Sequence, residues 1–180
     1  FDEFFLHYQH FLNTFPHYII FDLGISRFHY EVSGRGFSFS RNEPLDMRLS
    51  GDVDASGISF QREDIPGSTS ITAHEIINTY SEQDLATLFW EFGEERFSRR
   101  IAKRIVEERK KSPIDNAFAL SEIIKYAVPK SSRYGSKIHP ATRCFQALRI
   151  MVNSELNRLS RGLEHAFRVL ENGGRIGVIS

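Results

Sequence analysis

Four side chains with forked hydrogen-bonding groups recur at helical spacing in one segment of the chain: Arg143, Gln146, Arg149 and Asn153. Residues three and four apart share a helix face. Guanidinium and amide groups suit phosphates and base edges. Phe145, Leu148 and Val152 have the same spacing on another face and predict its buried side. The segment predicts a helix that binds nucleic acid.

A second group of cations lies on a predicted helix over residues 94–110. At about 100° per residue, one side of this helix is apolar and the opposite side carries Arg96, Arg99, Arg100, Lys103 and Arg104. Such a stripe suits an RNA backbone. The alternative is a solvated face on which Glu91, Glu94 and Glu95 pair with the arginines. A further basic cluster would extend the same surface: Lys130, Arg133, Lys137, His139 and Arg143.

An acidic residue follows a predicted strand. Residues 18–21 form a short apolar run, which predicts a strand buried on both faces of a parallel sheet. Asp22 then lies at its carboxyl end, where open α/β sheets bind ligands. The alternative is an aspartate that forms a turn or caps a helix.

An irregular segment, residues 26–70, follows Asp22; it is rich in Gly, Ser, Asp and Arg. Arg35, Phe37 and Phe39 could bind phosphate and stack on unpaired bases, or the two rings could anchor a short strand in the core. Asp46 and Arg48 could form a structural ion pair or contact substrate. Residues 52–70 predict an expanded, partly disordered surface loop.

Helical signals dominate the rest of the chain. The predicted helices are 3–14, 73–80, 82–92, 94–110, 116–128 and 141–170, the last with a bend or break. Thr72 with Glu75, and Ser81 with Asp84, predict N-terminal caps. Residues 175–179 predict another buried strand after a glycine stop. The order predicts an α/β core interrupted by a helical insertion.

The overall composition narrows the class of protein. Lys and Arg together balance Asp and Glu, so any nucleic-acid contact depends on local basic patches. The single Cys144 predicts a reducing compartment and a core thiol. No apolar run has membrane-spanning length and no signal peptide is visible, which predicts a soluble cytoplasmic protein. His7 and His10 lack a third ligand, so no metal site is predicted.

Four collinear strings carry a family resemblance. They are Asp22-Leu23-Gly24-Ile25-Ser26; Arg35-Gly36-Phe37-Ser38-Phe39 with Pro44-Leu45-Asp46-Met47-Arg48; Phe92-Gly93-Glu94-Glu95-Arg96-Phe97; and the segment from His139 to Leu156. Together they resemble the RsmH (MraW) family of bacterial methyltransferases, which modify a cytidine N4 amino group in 16S ribosomal RNA.

The resemblance implies a fold and a cofactor. The fold is a Rossmann-like class I methyltransferase core (1–36 and 148–180) interrupted by a loop and an all-helical insertion (37–147). The cofactor is S-adenosyl-L-methionine, and Asp22, His29 and Phe1 match cofactor-contacting positions. Asp22 would contact the donor or assist the acceptor amino group. Family members also carry a glycine-rich cofactor loop and a C-terminal motif, so we expect this sequence to be the central part of a longer protein.

The predicted function is methylation of a cytidine N4 amino group in the small ribosomal subunit, with the acceptor base leaving its stack to reach the donor. The predicted RNA contacts are Arg35, Phe37, Arg96, Arg99, Arg100, Lys103, Arg104, His139, Arg143 and Arg149. One alternative is a methyltransferase for another nucleic-acid site. The other is a non-catalytic RNA-binding or ribosome-assembly module, for which the basic helix would suffice. The oligomeric state cannot be predicted.

Overall fold

The computed structural model describes residues 15–49, 71–133 and 138–179. The predictions for Phe1, the helix 3–14 with His7 and His10, the loop 52–70 and Lys137 lie outside these ranges. The chain forms two compact units. The first contains the residues up to Ser26 and those from Ser154 onward, and the second is Arg27–Asn153.

The first unit is a small parallel sheet with one long helix. Strand β1 (Tyr18–Asp22) pairs with strand β2 (Arg175–Ile179), and Asp22 lies opposite Ile179 in the register. The core of this unit comprises Ile19, Phe21, Ala166 and Val169, with Leu23, Leu159, Leu163, Leu170 and Ile176 packed against it. The last helix of the chain, Glu155–Val169, supplies four of these residues.

The predicted two-sided burial of β1 is wrong for the described residues. Its side chains alternate, with Ile19 and Phe21 buried while Tyr18 and Ile20 are each 70% exposed. The reason is that the helix Glu155–Val169 packs against the Ile19 and Phe21 side of the sheet. The strand itself, its parallel pairing and the position of Asp22 at its carboxyl end are as predicted.

The second unit is helical. Its helices are α1 (Arg27–Glu31), α2 (Ala73–Thr79), α3 (Glu82–Glu91), α4 (Ser98–Arg109), α5 (Ala117–Ala127), α6 (Lys130–Arg133) and α7 (Thr142–Asn153); the helix of the first unit is α8 (Glu155–Val169). Helix α4 packs against α3 and α5, and α7 packs against α3 and α2. Fully buried side chains that form this core include Ile76, Leu85, Phe89, Ile101, Ile105, Leu120, Ile124 and Leu148.

The predicted caps of α2 and α3 are confirmed, with one difference. At α2 the Glu75 N–H donates to Thr72 Oγ1 (3.2 Å) and the Thr72 N–H donates to Glu75 Oε2 (2.8 Å). At α3 the Asp84 N–H donates to Ser81 Oγ (3.1 Å), but the Asp84 carboxylate accepts from the Ser81 hydroxyl (2.6 Å). The Glu75 carboxylate thus accepts from both the N–H and the hydroxyl (3.1 Å) of its cap, whereas the shorter Asp84 side chain accepts from the cap's hydroxyl.

Two helix boundaries lie at residues whose backbone is in the left-handed conformation. Helix α4 begins at Ser98 and not at residue 94, because Glu94 has φ +50° and the Glu95 carboxylate accepts from the Phe97 N–H (2.8 Å). The predicted break between residues 141 and 170 falls at Ser154, also at φ +50°, between α7 and α8. In the described ranges, no helix combines the length and apolar character that crossing a membrane requires.

Candidate active site and nucleic-acid interface

The Asp22 carboxylate is exposed at the carboxyl end of β1. One carboxylate oxygen already accepts a hydrogen bond, because the Gly24 N–H donates to Asp22 Oδ1 (3.1 Å). The backbone next to it is held by the Leu23 N–H, which donates to the Ile179 carbonyl (3.0 Å). Asp22 therefore forms the turn that the alternative interpretation required. The described residues offer its Oδ2 no donor. This oxygen is an available acceptor for a bound amine or hydroxyl group.

His29 lies on the one-turn helix α1 in the second unit. Its half-buried ring meets the Phe28 ring edge-on at 5.7 Å and the Phe37 ring edge-on at 5.4 Å between centroids. These contacts orient the imidazole. Asp22 and His29 belong to different units.

The loop from Arg35 to Leu49 closes on itself through backbone contacts. Gly36 has φ +79°, and a Cβ there would lie 2.2 Å from the Pro44 carbonyl oxygen, so only glycine fits. The Met47 N–H donates to the Arg35 carbonyl (2.8 Å), and Arg35 Nη1 donates to the Arg48 carbonyl (3.1 Å). Arg35 therefore holds the two motif strings together. This contact gives Arg35 a structural role in addition to the predicted RNA contact.

Asp46 and Arg48 form the ion pair that was one of the two alternatives. Arg48 Nε donates to Asp46 Oδ1 (2.5 Å) and Arg48 Nη2 donates to Asp46 Oδ2 (2.9 Å). Burial by itself raises the pKa of Asp46, but the hydrogen bonds and charge of Arg48, with the Arg35 charge, outweigh it and hold that pKa below its ordinary value. The pair is half-buried and stays ionised at neutral pH.

The two aromatic rings of the loop, Phe37 and Phe39, do not form an exposed surface on which bases could stack. Phe37 is buried, with 4% of its surface exposed, so it cannot stack on an unpaired base. The alternative, in which its ring anchors the loop in the core, is the one observed. Phe39 is half-buried and stacks on the His139 ring (4.5 Å between centroids, 12° between planes), with the Phe145 ring edge-on at 5.7 Å. Both rings are thus engaged by the protein.

Asn153 was also predicted on the face that binds nucleic acid, and that prediction is wrong. It is 3% exposed, and its side chain bonds the loop: the Leu49 N–H donates to Oδ1 (2.8 Å), while Nδ2 donates to the Met47 carbonyl (2.8 Å) and the Arg149 carbonyl (2.9 Å). Asn153 therefore fixes the loop to the end of α7 and does not face nucleic acid. No local sequence signal identifies partners more than 100 residues away.

The basic stripe on α4 has the predicted orientation. Its buried side consists of Ser98, Ile101, Ala102 and Ile105, while Arg99, Arg100, Lys103 and Arg104 are exposed. Arg104 pairs with Glu108 (2.8 Å) and Glu107 (3.9 Å), which are not the acids named in the solvated-face alternative. Within the described residues Arg99, Arg100 and Lys103 form no ion pair. Three cations are therefore available to a phosphate backbone.

The remaining predicted RNA contacts surround α7 and the turn before α4. Arg96 is exposed and precedes α4, with its guanidinium 4.7 Å from the centre of the Phe97 ring. Arg143 is exposed, and its Nη1 donates weakly to the Glu94 carbonyl (3.4 Å). Arg149 is half-buried. His139 Nδ1 accepts from the Ala141 N–H (3.2 Å), so this histidine also helps to begin α7.

Cys144 lies in the core and not in a reactive site, as predicted. It is fully buried on α7. Burial and the nearby Glu95 charge raise the pKa of its thiol well above the ordinary value. A neutral, inaccessible thiol is a poor nucleophile.

Comparison with known proteins gives one consistent result. The model of the MraW methylase family matches residues 1–180. The proteins named ribosomal RNA small subunit methyltransferase H from Treponema denticola, Dictyoglomus thermophilum and Borrelia turicatae are 50%, 48% and 43% identical over 179, 163 and 180 residues. These alignments cover 99%, 90% and 100% of this chain and 51%, 48% and 54% of those proteins. The chain thus spans about half the length of the curated relatives it matches.

Proposed function

The chain belongs to the MraW methylase family, and on that premise we propose that it is part of an S-adenosyl-L-methionine-dependent methyltransferase. Its substrate is a cytidine N4 amino group in the 16S RNA of the small ribosomal subunit. The observation that carries the proposal is the family match over all 180 residues, which includes the Asp22 motif at the end of β1. The relatives' shared name supports the same reaction class.

The proposed architecture is a Rossmann-like class I core interrupted by a helical insertion. The boundaries between the two compact units, after Ser26 and after Asn153, support an interrupted core. They lie within about ten residues of the proposed boundaries at 36/37 and 147/148. Asp22 lies at the carboxyl edge of the two-stranded parallel sheet. In such a core, this edge is where a ligand is expected to bind.

The Asp22 carboxylate fits the polar groups of the cofactor. S-adenosyl-L-methionine, when bound, supplies a methyl group activated by a sulfonium. Its amino and hydroxyl groups need acceptors, and Asp22 presents an exposed carboxylate with Oδ2 available. On the family resemblance alone we also propose His29 and Phe1 as cofactor contacts. The Phe28 and Phe37 rings hold the His29 ring edge-on.

Asp22 has two possible roles in the transfer. In one, its carboxylate accepts hydrogen bonds from the cofactor and orients the donor. In the other, it accepts the N4–H of the cytidine, which makes that nitrogen more nucleophilic and removes its proton. In-line alignment of donor and acceptor is required in both.

The helical unit supplies the RNA contacts of the proposal. Arg99, Arg100 and Lys103 form the exposed stripe on α4, and Arg96, Arg104, His139, Arg143 and Arg149 extend it. This stripe also favours the second candidate function, an RNA-binding or assembly module without catalysis.

The first test is methyl transfer by the full-length protein that carries this chain. Labelled S-adenosyl-L-methionine and unmethylated small ribosomal subunits serve as substrates, and the variants are Asp22→Ala and Asp22→Asn. We expect Asp22→Ala to lose at least about 100-fold in kcat/KM. In Asp22→Asn, a higher Kd for the cofactor at unchanged kcat assigns Asp22 to the donor, whereas a lower kcat at unchanged Kd assigns it to the acceptor. Wild-type turnover in Asp22→Ala would remove Asp22 from the site.

The second test separates RNA binding from catalysis. Replacing Arg99, Arg100 and Lys103 together by Ala should weaken RNA binding. The fall of log K with log salt should also become less steep, by about 2 to 3 in the slope. A control variant removes the same charge in the first unit, at the exposed residues Arg161, Arg168 and Arg175. Equal losses in both variants would mean that the effect is net charge and not the α4 stripe. Cofactor binding without any transfer to RNA would favour the assembly-module alternative.

A further inference from the structure

An exposed tyrosine lies between two cations at the end of α5. Tyr126 is 63% exposed, whereas the core-facing side of α5 is formed by Leu120, Ser121, Ile124 and other buried residues. Lys125 Nζ lies 5.7 Å and Arg133 Cζ 5.8 Å from the centre of the Tyr126 ring. We call Lys125, Tyr126 and Arg133 the Tyr126 patch. The ring takes no part in the core packing of α5, so it is available to a binding partner.

The cations hold the ring loosely. Both distances are close to the ~6 Å limit of a cation–π contact. An incoming planar group can therefore displace the flexible side chains from the ring. The two charges would then lie at the edge of that group, in a position to bind its phosphates.

The surroundings of the Tyr126 patch are mainly cationic. Lys130 is exposed and lies three residues before Arg133, so the two share a face of α6. Arg133 is half-buried, and its buried Nε has no hydrogen-bond acceptor among the described residues. The one carboxylate bonded to these cations in the described structure is that of Glu122, which accepts from Lys125 (2.8 Å).

The patch continues toward a second aromatic pair. The Lys125 charge is close enough to His139 to contribute, after burial, to lowering the pKa of that histidine. The His139 ring stacks on Phe39, whose carbonyl accepts from Ser121 Oγ of α5 (3.1 Å). Tyr126 therefore belongs to a group of rings and cations that includes His139, one of the predicted RNA contacts.

We propose that the Tyr126 patch binds an unpaired nucleotide of the RNA substrate, with its base stacked on Tyr126 and its flanking phosphates at Lys125 and Arg133. The inference rests on the proposed function, because it takes RNA as the substrate. Exposed aromatic rings bind single-stranded bases through their faces, and neighbouring cations bind the backbone. A continuous duplex keeps its base faces stacked and cannot use this patch in the same way.

The test compares single-stranded and double-stranded RNA. Binding of a labelled RNA of about ten nucleotides, alone or annealed to its complement, is measured by fluorescence anisotropy at one salt concentration. Tyr126→Ala should weaken single-strand binding about 5- to 100-fold and leave duplex binding within about twofold. Tyr126→Phe keeps the ring and should match wild type within about twofold. Tyr126→Leu, which keeps bulk without a π face, should behave as Tyr126→Ala.

Three outcomes would overturn the inference. Equal weakening on single strand and duplex would mean that Tyr126 acts on structure or charge and not by stacking. Unchanged binding in Tyr126→Ala, with weakened binding in the α4 triple variant, would refute the patch and leave the proposed function intact. Unchanged binding in both would refute the patch and the RNA role of α4 together. Thermal unfolding of each variant checks that the exposed substitutions preserve the fold.

Discussion

Replacement of Asn153 by Ala tests the structural account most sharply, because one buried side chain joins the Arg35–Leu49 loop to α7. The substitution removes the acceptor of the Leu49 N–H and the donor to the Met47 carbonyl, both at 2.8 Å. Losing a hydrogen-bond partner costs about 1 kcal/mol at a group that water can reach, and about 1–3 kcal/mol at a buried group that is left unsatisfied. Met47 is 1% exposed, so water cannot reach its carbonyl easily. The expected loss is about 3 kcal/mol.

The assay is equilibrium unfolding in urea, with thermal unfolding as a second probe. A loss of about 3 kcal/mol corresponds to a fall in Tm of about 6–12 °C for a chain of this size. Gln146→Ala is the matched control, since Gln146 is an exposed amide on the same helix. It should change the free energy of unfolding by less than about 0.5 kcal/mol.

A loss of less than about 1 kcal/mol in Asn153→Ala, with an unchanged urea dependence, would refute the reasoning. It would mean that the loop carbonyl and amide find other partners at no cost.

Three further predictions concern stability and reactivity. Gly36→Ala should destabilise the protein by about 1–3 kcal/mol more than Gly34→Ala in urea unfolding; both glycines have positive φ, but a Cβ has no atom within 4 Å at Gly34 and is 2.2 Å from a carbonyl oxygen at Gly36. Because the pKa of Asp46 is lower in the folded state, its stabilisation is present above the unfolded pKa and is lost as pH falls through the folded value. The free energy of unfolding should therefore fall below about pH 4, and by less in Arg48→Met. Cys144 should react with a thiol reagent at pH 8 only as fast as the protein unfolds, and rapid labelling of the native protein would contradict its burial.

Local patterns predicted the helices well, because their signals are contained in neighbouring residues. The Thr72 and Ser81 caps and the apolar side of α4 follow from spacings of three or four residues. The start of α4 did not, since the left-handed Glu94 and the buried Glu95 depend on the packing of the turn that precedes it.

The site was predicted less completely, because its contacts are long-range. Asp22 lies at the strand end as predicted, since an apolar run followed by an acid is a local signal. Phe37 and Asn153 were assigned to nucleic acid, yet both are buried. Asn153 bonds a loop more than 100 residues away. The position of Asn153 on its helix does not indicate that such a distant partner exists. Tyr126 was missed because its two cations meet it only after α5 and α6 have folded.

The most direct measurement of the central claim is the identity of the methylated nucleoside. The full-length protein would be incubated with labelled S-adenosyl-L-methionine and unmethylated small ribosomal subunits, and the RNA digested to nucleosides and separated. The account predicts label in N4-methylcytidine, and its loss in Asp22→Ala. Label in another nucleoside, or none from a folded protein that binds the cofactor, would contradict it.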